Sequence, residues 1–530
     1  MSWAAAAALL VATIVVIGIL RHIFFFDDSY MYYRYAVHLR QGLGLVWNAG
    51  GPPTYGLTSQ LWVFFCLPFT LLPVGPEMAL RLASGLTGVA AFVVMAFTVS
   101  RHATSPFLRQ PVIALAAVTL PVVAMATFRT NLSSGMDTML AVLANAGLAF
   151  GVLEYVAAPT RRMSFAVGLL SFAAFLARPD SGLCAMAIPF LAWAFLAKPR
   201  RLDALVGLVV LPLVLIGAEM LICRWYFGVP LPLGFYAKSA RSYAGFQSEE
   251  SAVQYFLEAS ACALPWLGAI AATLRRDQLV RLAVFLLPVA ATFAYLLTVR
   301  QIMGFGGRFY VPCLPFLIVP ALLCADAGVA RNARRAFIAA PIAVLIACGL
   351  YTLSRPAWQA PIKADRQRLI ANAVPKPDMP VAASVPLPHR GYKVTSETID
   401  FDIAAHLPLG AKIGSSEVGL LGVSAMQADV IDLVGLNDTT IGLQGMQMGP
   451  FLARGVDLIW MPHNDYTGLR AVILSDERLY RQYIVVKDAF DYGVAIRRES
   501  PFRPQIEALV RAAWAKVYPT YAFDDYVVKR

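Results

Sequence analysis

The sequence predicts a polytopic α-helical membrane protein, with about eleven transmembrane helices plus an interfacial helix, that ends in a soluble C-terminal α/β domain. Three observations predict it. Of the 530 residues 58% are hydrophobic and 14% charged, far from the balance of a water-soluble globule. Apolar runs long enough to cross roughly 30 Å of hydrocarbon recur through the first two thirds and stop near Leu353. From Arg355 onward 20 basic residues face 19 acidic ones, an ordinary soluble balance, against 24 and 13 before it. The division is a membrane domain over 1–354, a Pro-rich linker over 355–390 with a short helix at 363–374, and a soluble domain over 391–530.

The spans are read at 4–22, 78–100, 111–128, 136–157, 164–178, 182–197, 203–226, 260–274, 281–299, 308–328 and 336–354. The first is a retained anchor, since no small-x-small cleavage site follows it before Phe24-Phe25-Phe26-Asp27. Alternate connections are basic: Arg101 and Arg109; Arg161 and Arg162; Lys198, Arg200 and Arg201; Arg275, Arg276 and Arg281; Arg331, Arg334 and Arg335. The positive-inside rule puts these on the cytoplasmic face and the other connections, with the soluble domain, on the far side. Arg21 dissents and is outvoted by five loops. The apolar segment Leu61–Leu72 would reverse that parity if it crossed, and it is short and bounded by Pro68 and Pro73, so it lies at the far interface. The net charge of +12 is thereby explained without nucleic acid.

Several chemistries find no foothold. The sequence has no P-loop, no strand-to-helix GxGxxG and no HExxH. Its seven cysteines sit in or beside apolar segments without CxxC spacing, which points to packing. In the soluble domain, apolar runs at Ala411–Gly414, Val430–Leu433, Val456–Trp460 and Tyr483–Val486 read as strands, Asp432, Asn437 and Asp438 as caps, and Met461–Asp465 as a loop.

Polar residues concentrate in the far-side loops. The first, 23–60, carries Asp27, Asp28, Arg34, His38 and Tyr55; later ones carry Asp137, Arg178 with Asp180, Tyr236 with Lys238, and Arg308. Cations near the bilayer surface with aromatic neighbours suit a lipid-linked phosphate, and carboxylates suit proton abstraction from a hydroxyl. Each residue also has a plainer reading: solvated carboxylates at a span edge for Asp27 and Asp28, a first-turn aspartate for Asp137, a partner of Arg178 for Asp180, snorkelling or interface anchoring for Arg178 and Arg308, and a hydrogen-bonded structural histidine for His38.

The motifs arrive in a recognisable order. Asp27-Asp28-x-Tyr30 with Arg34-Tyr35-Ala36, then Gly42-x-Gly44-Leu45-Val46-Trp47-Asn48 and Gly56-x-Thr58-Ser59-x-x-Trp62, resembles the first extracytoplasmic loop of GT-C fold glycosyltransferases. Ser134-Gly135-Met136-Asp137-Thr138, Ala177-Arg178-Pro179-Asp180, Leu231–Lys238, Gly307–Pro312 and Val430–Asp438 resemble further strings of that family, covering most of the chain. Within it the set is similar to bacterial arabinofuranosyltransferases that use decaprenyl-phosphoryl-arabinofuranose, the mycobacterial cell-wall and type IV pilin enzymes. There are departures: aspartate replaces glutamate at Asp137 and Asp180, Leu233-Gly234 replaces Asn-Thr, and Gln301–Gly304 lacks an acidic residue found before the Gly-Arg-Phe string.

The resemblance implies a GT-C membrane domain in a bacterial inner membrane, with the active site and soluble domain on the periplasmic side. It implies transfer of a sugar, arabinofuranose first, from a polyprenyl-phosphate donor to a hydroxyl of a glycan or protein acceptor. Asp27 or Asp28 would be the catalytic base; Lys238, Arg178, Arg308 and Tyr236 would hold donor phosphate and lipid; Asp137, Arg34, Tyr55 and His38 would position acceptor or sugar. No cofactor is called for, a divalent cation stays open, and the soluble domain would help hold the acceptor. Three alternatives stand beside it: a transferase for another lipid-linked sugar such as mannose or aminoarabinose, a lipid or sugar transporter, and a silent acceptor-binding scaffold.

Overall fold

The computed structural model describes residues 25–198, 202–239, 252–298, 304–329, 385–386, 393–394, 396–463 and 466–529. The predicted spans 4–22 and 336–354, most of the 355–390 linker with its helix, and Arg331, Arg334 and Arg335 lie outside these residues.

Among the described residues the elements of the membrane part are α1 (Asp28–Arg40), α2 (Gln60–Cys66), α3 (Pro76–His102), α4 (Pro111–Ala124), α5 (Ala126–Ser133), α6 (Thr138–Ala157), α7 (Arg161–Ala177), α8 (Gly182–Phe195), α9 (Leu211–Phe227), α10 (Leu233–Ser239), α11 (Ala252–Thr273), α12 (Leu279–Thr298) and α13 (Pro315–Val329), with short 3-10 and π turns between some of them. Five described helices are long and apolar enough to cross a membrane: Pro76–His102, Thr138–Ala157, Val206–Phe227, Arg276–Thr298 and Val311–Gly328. They match five predicted spans. A sixth, expected at 111–128, is broken: α4 carries Pro121, Met125 is extended, and α5 leaves at 95°. The spans predicted at 164–178, 182–197 and 260–274 are helices of shorter apolar reach. Gln60–Leu71 is one of the shorter apolar helices and at 1.5 Å per residue is too short to bridge roughly 30 Å. The six described cysteines are buried and free.

The loops that charge parity assigns to one face do converge on one end of the bundle. At the other end Arg101 pairs with Glu154, and Asp326 accepts hydrogen bonds from Thr104 and Ser105, fastening the far ends of α3, α6 and α13.

The soluble part begins with a two-residue antiparallel pairing of β1 (Val385–Pro386) and β2 (Lys393–Val394), followed by α14 (Ser396–Ala405). Its sheet comprises β3 (Lys412–Ser415), β4 (Asp429–Asp432), β5 (Leu458–Trp460), β6 (Tyr483–Val486) and β7 (Val494–Arg497) in the order β4-β3-β5-β7-β6. β3 pairs parallel with both β4 and β5; β7 pairs antiparallel with β5 and β6. The four predicted strands are present and β7 is additional. After β3 the chain passes through α15 (Gly419–Ser424) to β4 on one side, then returns to β5 on the other. That reversal makes the carboxyl ends of β3 and β5 a topological switch point, where open α/β sheets form their ligand crevice. Asp438 caps the following helix through the Ile441 N–H, and Asp432 accepts from the N–H groups of Val434, Gly435 and Asn437.

α1 joins the two parts, and it does so by holding α15 at both ends. Asp27, at the head of α1, accepts from the N–H groups of Gly419 (2.9 Å) and Leu420 (2.8 Å). Seven residues later, two turns along the same face, the buried Arg34 guanidinium donates to the carbonyls of Gly422, Ala425 (3.1 Å) and Ala428 (3.2 Å). An anion at the helix start and a cation at its end each oppose a partial charge of the peptide dipoles. A side chain at position 419 would collide with Asp27, so glycine is required there. Arg34 also donates to the Trp47 carbonyl and stacks on the Trp47 ring at 4.9 Å. Asn48 donates to the Val430 carbonyl and accepts from its N–H, pairing with the open side of edge strand β4. A continuous apolar core runs from Phe26, Tyr32, Trp47 and Trp62 to Ile399, Ile413 and Trp460.

These contacts give two residues expected at the site partners elsewhere. Arg34 and His38 were expected to position acceptor or sugar, but Arg34 is spent on the interdomain carbonyls, and buried His38 is tied by Nδ1 to the Val46 carbonyl at 2.9 Å. Replacing Arg34 with methionine keeps bulk but orphans several buried carbonyls. It should destabilise the docked soluble domain by about 1–3 kcal/mol for each carbonyl left unpaired, seen as early thermal unfolding and rapid proteolysis of that domain. Unchanged proteolysis would contradict this clamp.

Candidate functional site

A cavity of about 110 Å³ lies between the docked soluble domain and the membrane helices. Asp27, Asp28 and Tyr32 of the α1 segment, Thr58, Arg178, Lys238, Arg308 and Phe309 line the membrane side, and Ser416, Glu417, Leu436 and Tyr466 line the other. The soluble-domain residues come from the loops after β3, β4 and β5, at the switch-point end of the sheet.

The membrane wall is cationic. The Phe309 ring has the Arg178 guanidinium 5.2 Å from its centroid, Arg308 at 5.4 Å and the Lys238 ammonium at 6.0 Å. Arg178 is fully employed, by a 2.8 Å ion pair to buried Asp137 and a bidentate grip on Asp180. Asp137 stands at the start of α6 but caps nothing; besides Arg178 its carboxylate accepts from the Tyr32 hydroxyl at 3.1 Å. Asp137 is thus one layer behind the wall.

Arg308 and Lys238 are less employed. Buried Arg308 has one 3.3 Å contact, from Nη2 to Asp28, and its Nε and Nη1 have no hydrogen-bond partner among the described residues. Buried donors without partners are costly, so a guanidinium left this way invites an anionic ligand. Lys238 opens onto the cavity and has no ion pair among the described residues. The surrounding protein and the neighbouring Arg308 cation push its ammonium down to about 8.

The structure divides the aspartate pair. Both oxygens of Asp27 are held by backbone N–H groups, whereas Asp28 leans on Arg308 with its other oxygen unpartnered among the described residues. Burial, with the Asp28 charge assisting, pushes the Asp27 carboxyl up to about 6 against the pull of those two N–H groups. Glu417, which the sequence reading did not single out, enters the cavity from the β3 loop. Burial first and the Asp27 charge second push it up to about 7. The signal that could have found it is its place directly after a strand of the parallel pair.

No protein-family model and no curated protein matches the chain. The site is therefore read from its own geometry. Tyr55 and Tyr236, expected at the site, are not in the wall: the Tyr55 hydroxyl donates to Glu219 of α9 at 3.1 Å, and Tyr236 packs with the Tyr55, Phe227 and Leu233 cluster. Asp27 already accepts two N–H groups, Asp28 faces a guanidinium, and among the described residues no three metal-binding side chains converge as a divalent cation would need.

The raised carboxyls set the sign of a pH effect. Asp27 and Glu417 lie at about 6 and about 7 against ordinary values of 3.8 and 4.5, so the folded chain binds more protons between about pH 4 and pH 7. Stability present below about pH 4 is lost as pH rises through those values. Thermal unfolding of the soluble domain should fall in midpoint from pH 5 to pH 8, and a midpoint that rises would contradict the assignment.

Proposed function

We propose that the chain is a membrane glycosyltransferase that moves a sugar from a polyprenyl-phosphate donor to a hydroxyl of an extracytoplasmic glycan or protein acceptor. The single observation that carries this reading is the pairing of walls: under-used cations, Arg308 and Lys238, around Phe309 on the membrane side, and the Glu417 carboxyl on the soluble-domain side. Fixed cations suit the phosphate, which leaves from the anomeric carbon with the bonding electrons. A carboxylate across the cavity suits the proton that the incoming hydroxyl gives up. A leaving phosphate needs little protonation, so one base and fixed cations are enough for a single inverting displacement.

The loop motifs favour arabinofuranose as the sugar and a GT-C membrane domain of about eleven spans as the scaffold. The resemblance favours a bacterial inner membrane, and charge parity favours the periplasmic side for the cavity and the soluble domain, because basic residues concentrate in the alternate loops. A transporter reading lacks comparable support, since the charges described here lie at a helix-end cavity closed by a soluble domain rather than along a crossing path.

The reading is tested with the purified chain in nanodiscs, offered radiolabelled polyprenyl-phosphate arabinofuranose, mannose and aminoarabinose in parallel with a hydroxyl acceptor. Transfer from at least one donor is expected, arabinofuranose first; flipping of donor without transfer would instead identify a transporter. Arg308→Ala and Lys238→Ala should each weaken donor binding by about 10- to 100-fold, as the roughly 1.5–3 kcal/mol of a charged hydrogen bond implies. Donor affinity unaffected by both variants would remove the phosphate from this wall.

A further inference from the structure

We propose that Glu417, supplied by the soluble domain, is the general base of the transfer reaction. The assignment rests on the lipid-phosphate reading above and names the residue that takes the proton.

Three carboxylates line the cavity, and their contacts separate them. Asp27 has each oxygen on a backbone N–H of α15, so its carboxylate is engaged in holding that helix. Asp28 faces the Arg308 guanidinium, and its charge keeps that side chain in the phosphate wall. Glu417 has one weak side-chain contact, from the Ser416 hydroxyl to Oε1 at 3.3 Å, and its other oxygen has no partner among the described residues. No cation pairs with it there. It faces Asp27 and Asp28 from α1, Asp400 from α14, His463 from the loop after β5, and Lys238 and Arg308 across the cavity. The two nearest carboxylates disfavour its ionisation and His463 partly offsets them. A base poised near neutrality is the consequence.

Position agrees with chemistry. Glu417 lies at the switch point of the sheet, two residues before the glycine gripped by Asp27, so the grip fixes the loop that carries it. The backbone N–H of His463 donates to the Ser416 hydroxyl at 3.2 Å, which ties the β5 loop to the same turn. In the reaction the acceptor oxygen forms a bond to the anomeric carbon, the bond from that carbon to the phosphate oxygen breaks, the phosphate departs with the electron pair, and the acceptor proton passes to Glu417.

The test compares wild type, Glu417→Gln, Glu417→Asp and Asp28→Asn in nanodiscs, recording kcat from pH 5 to pH 9, donor affinity and thermal unfolding. Glu417→Gln should lose about 100-fold or more in kcat, bind donor within about twofold of wild type, and lose the acid limb of the pH profile. Glu417→Asp, with its carboxylate one methylene back, should keep that limb at a reduced rate, and Asp28→Asn should keep it while losing donor affinity. Glu417→Gln that turns over within about threefold of wild type, or Glu417→Asp without the acid limb, overturns the assignment. Wild type that transfers nothing from any lipid-phosphate sugar overturns the reaction itself and this assignment with it.

Discussion

The rest of the molecule depends on the hold that α1 takes on α15. Asp27 and Arg34 are two helical turns apart, and they meet the two ends of a six-residue helix that the chain reaches almost four hundred residues later. Each charged group is used where the peptide dipoles ask for its sign, and each removes buried backbone groups from the unsatisfied list. A short helix between two loops has little stability of its own. Clamped in this way, it fixes the β3 loop before it and the edge strand β4 after it, and the cavity wall is built from the first of those.

That hold explains why the cavity lies at the junction. The membrane helices supply cations, and the soluble domain supplies Glu417, Ser416 and Tyr466. Arg178 shows how the cationic wall is stiffened from behind, by Asp137 and Asp180, while Arg308 and Lys238 keep donors to spare. Rigid backing with unsatisfied donors in front is what preorganised recognition of an anion requires. The cost is a stability that varies with pH, because carboxyls crowded into the junction resist ionisation.

Much of this arrangement was legible in the sequence. Charge parity gathered Asp27, Asp28, Arg178, Lys238 and Arg308 on one face, and these five do line one cavity. The soluble domain's strands followed from apolar runs and turn signals, with β7 overlooked because Val494–Arg497 sits between charged segments. What sequence could not supply was partnership at long range. Arg34 and His38 look like site residues in a polar loop, yet one is consumed by carbonyls of a distant helix and the other by a carbonyl eight residues away. Asp27 and Asp28 are neighbours with identical chemistry, and only the approach of Gly419 and Leu420 to one of them distinguishes their duties. Glu417 had only its place after β3 to mark it, because its company in the cavity is assembled by docking.

The position at which a donor phosphate binds is the most direct test of the cationic wall. A cryo-electron-microscopy structure of the full chain in nanodiscs, with a polyprenyl donor analogue whose sugar is joined through a non-transferable phosphonate, shows that position. The phosphonate is expected within hydrogen-bond distance of Arg308 and Lys238 beside Phe309, with α15 still gripped by Asp27 and Arg34 and Glu417 facing the anomeric carbon. A phosphonate seated among the basic loops at the opposite end of the bundle, or a soluble domain lifted from α1 when donor is bound, would contradict it.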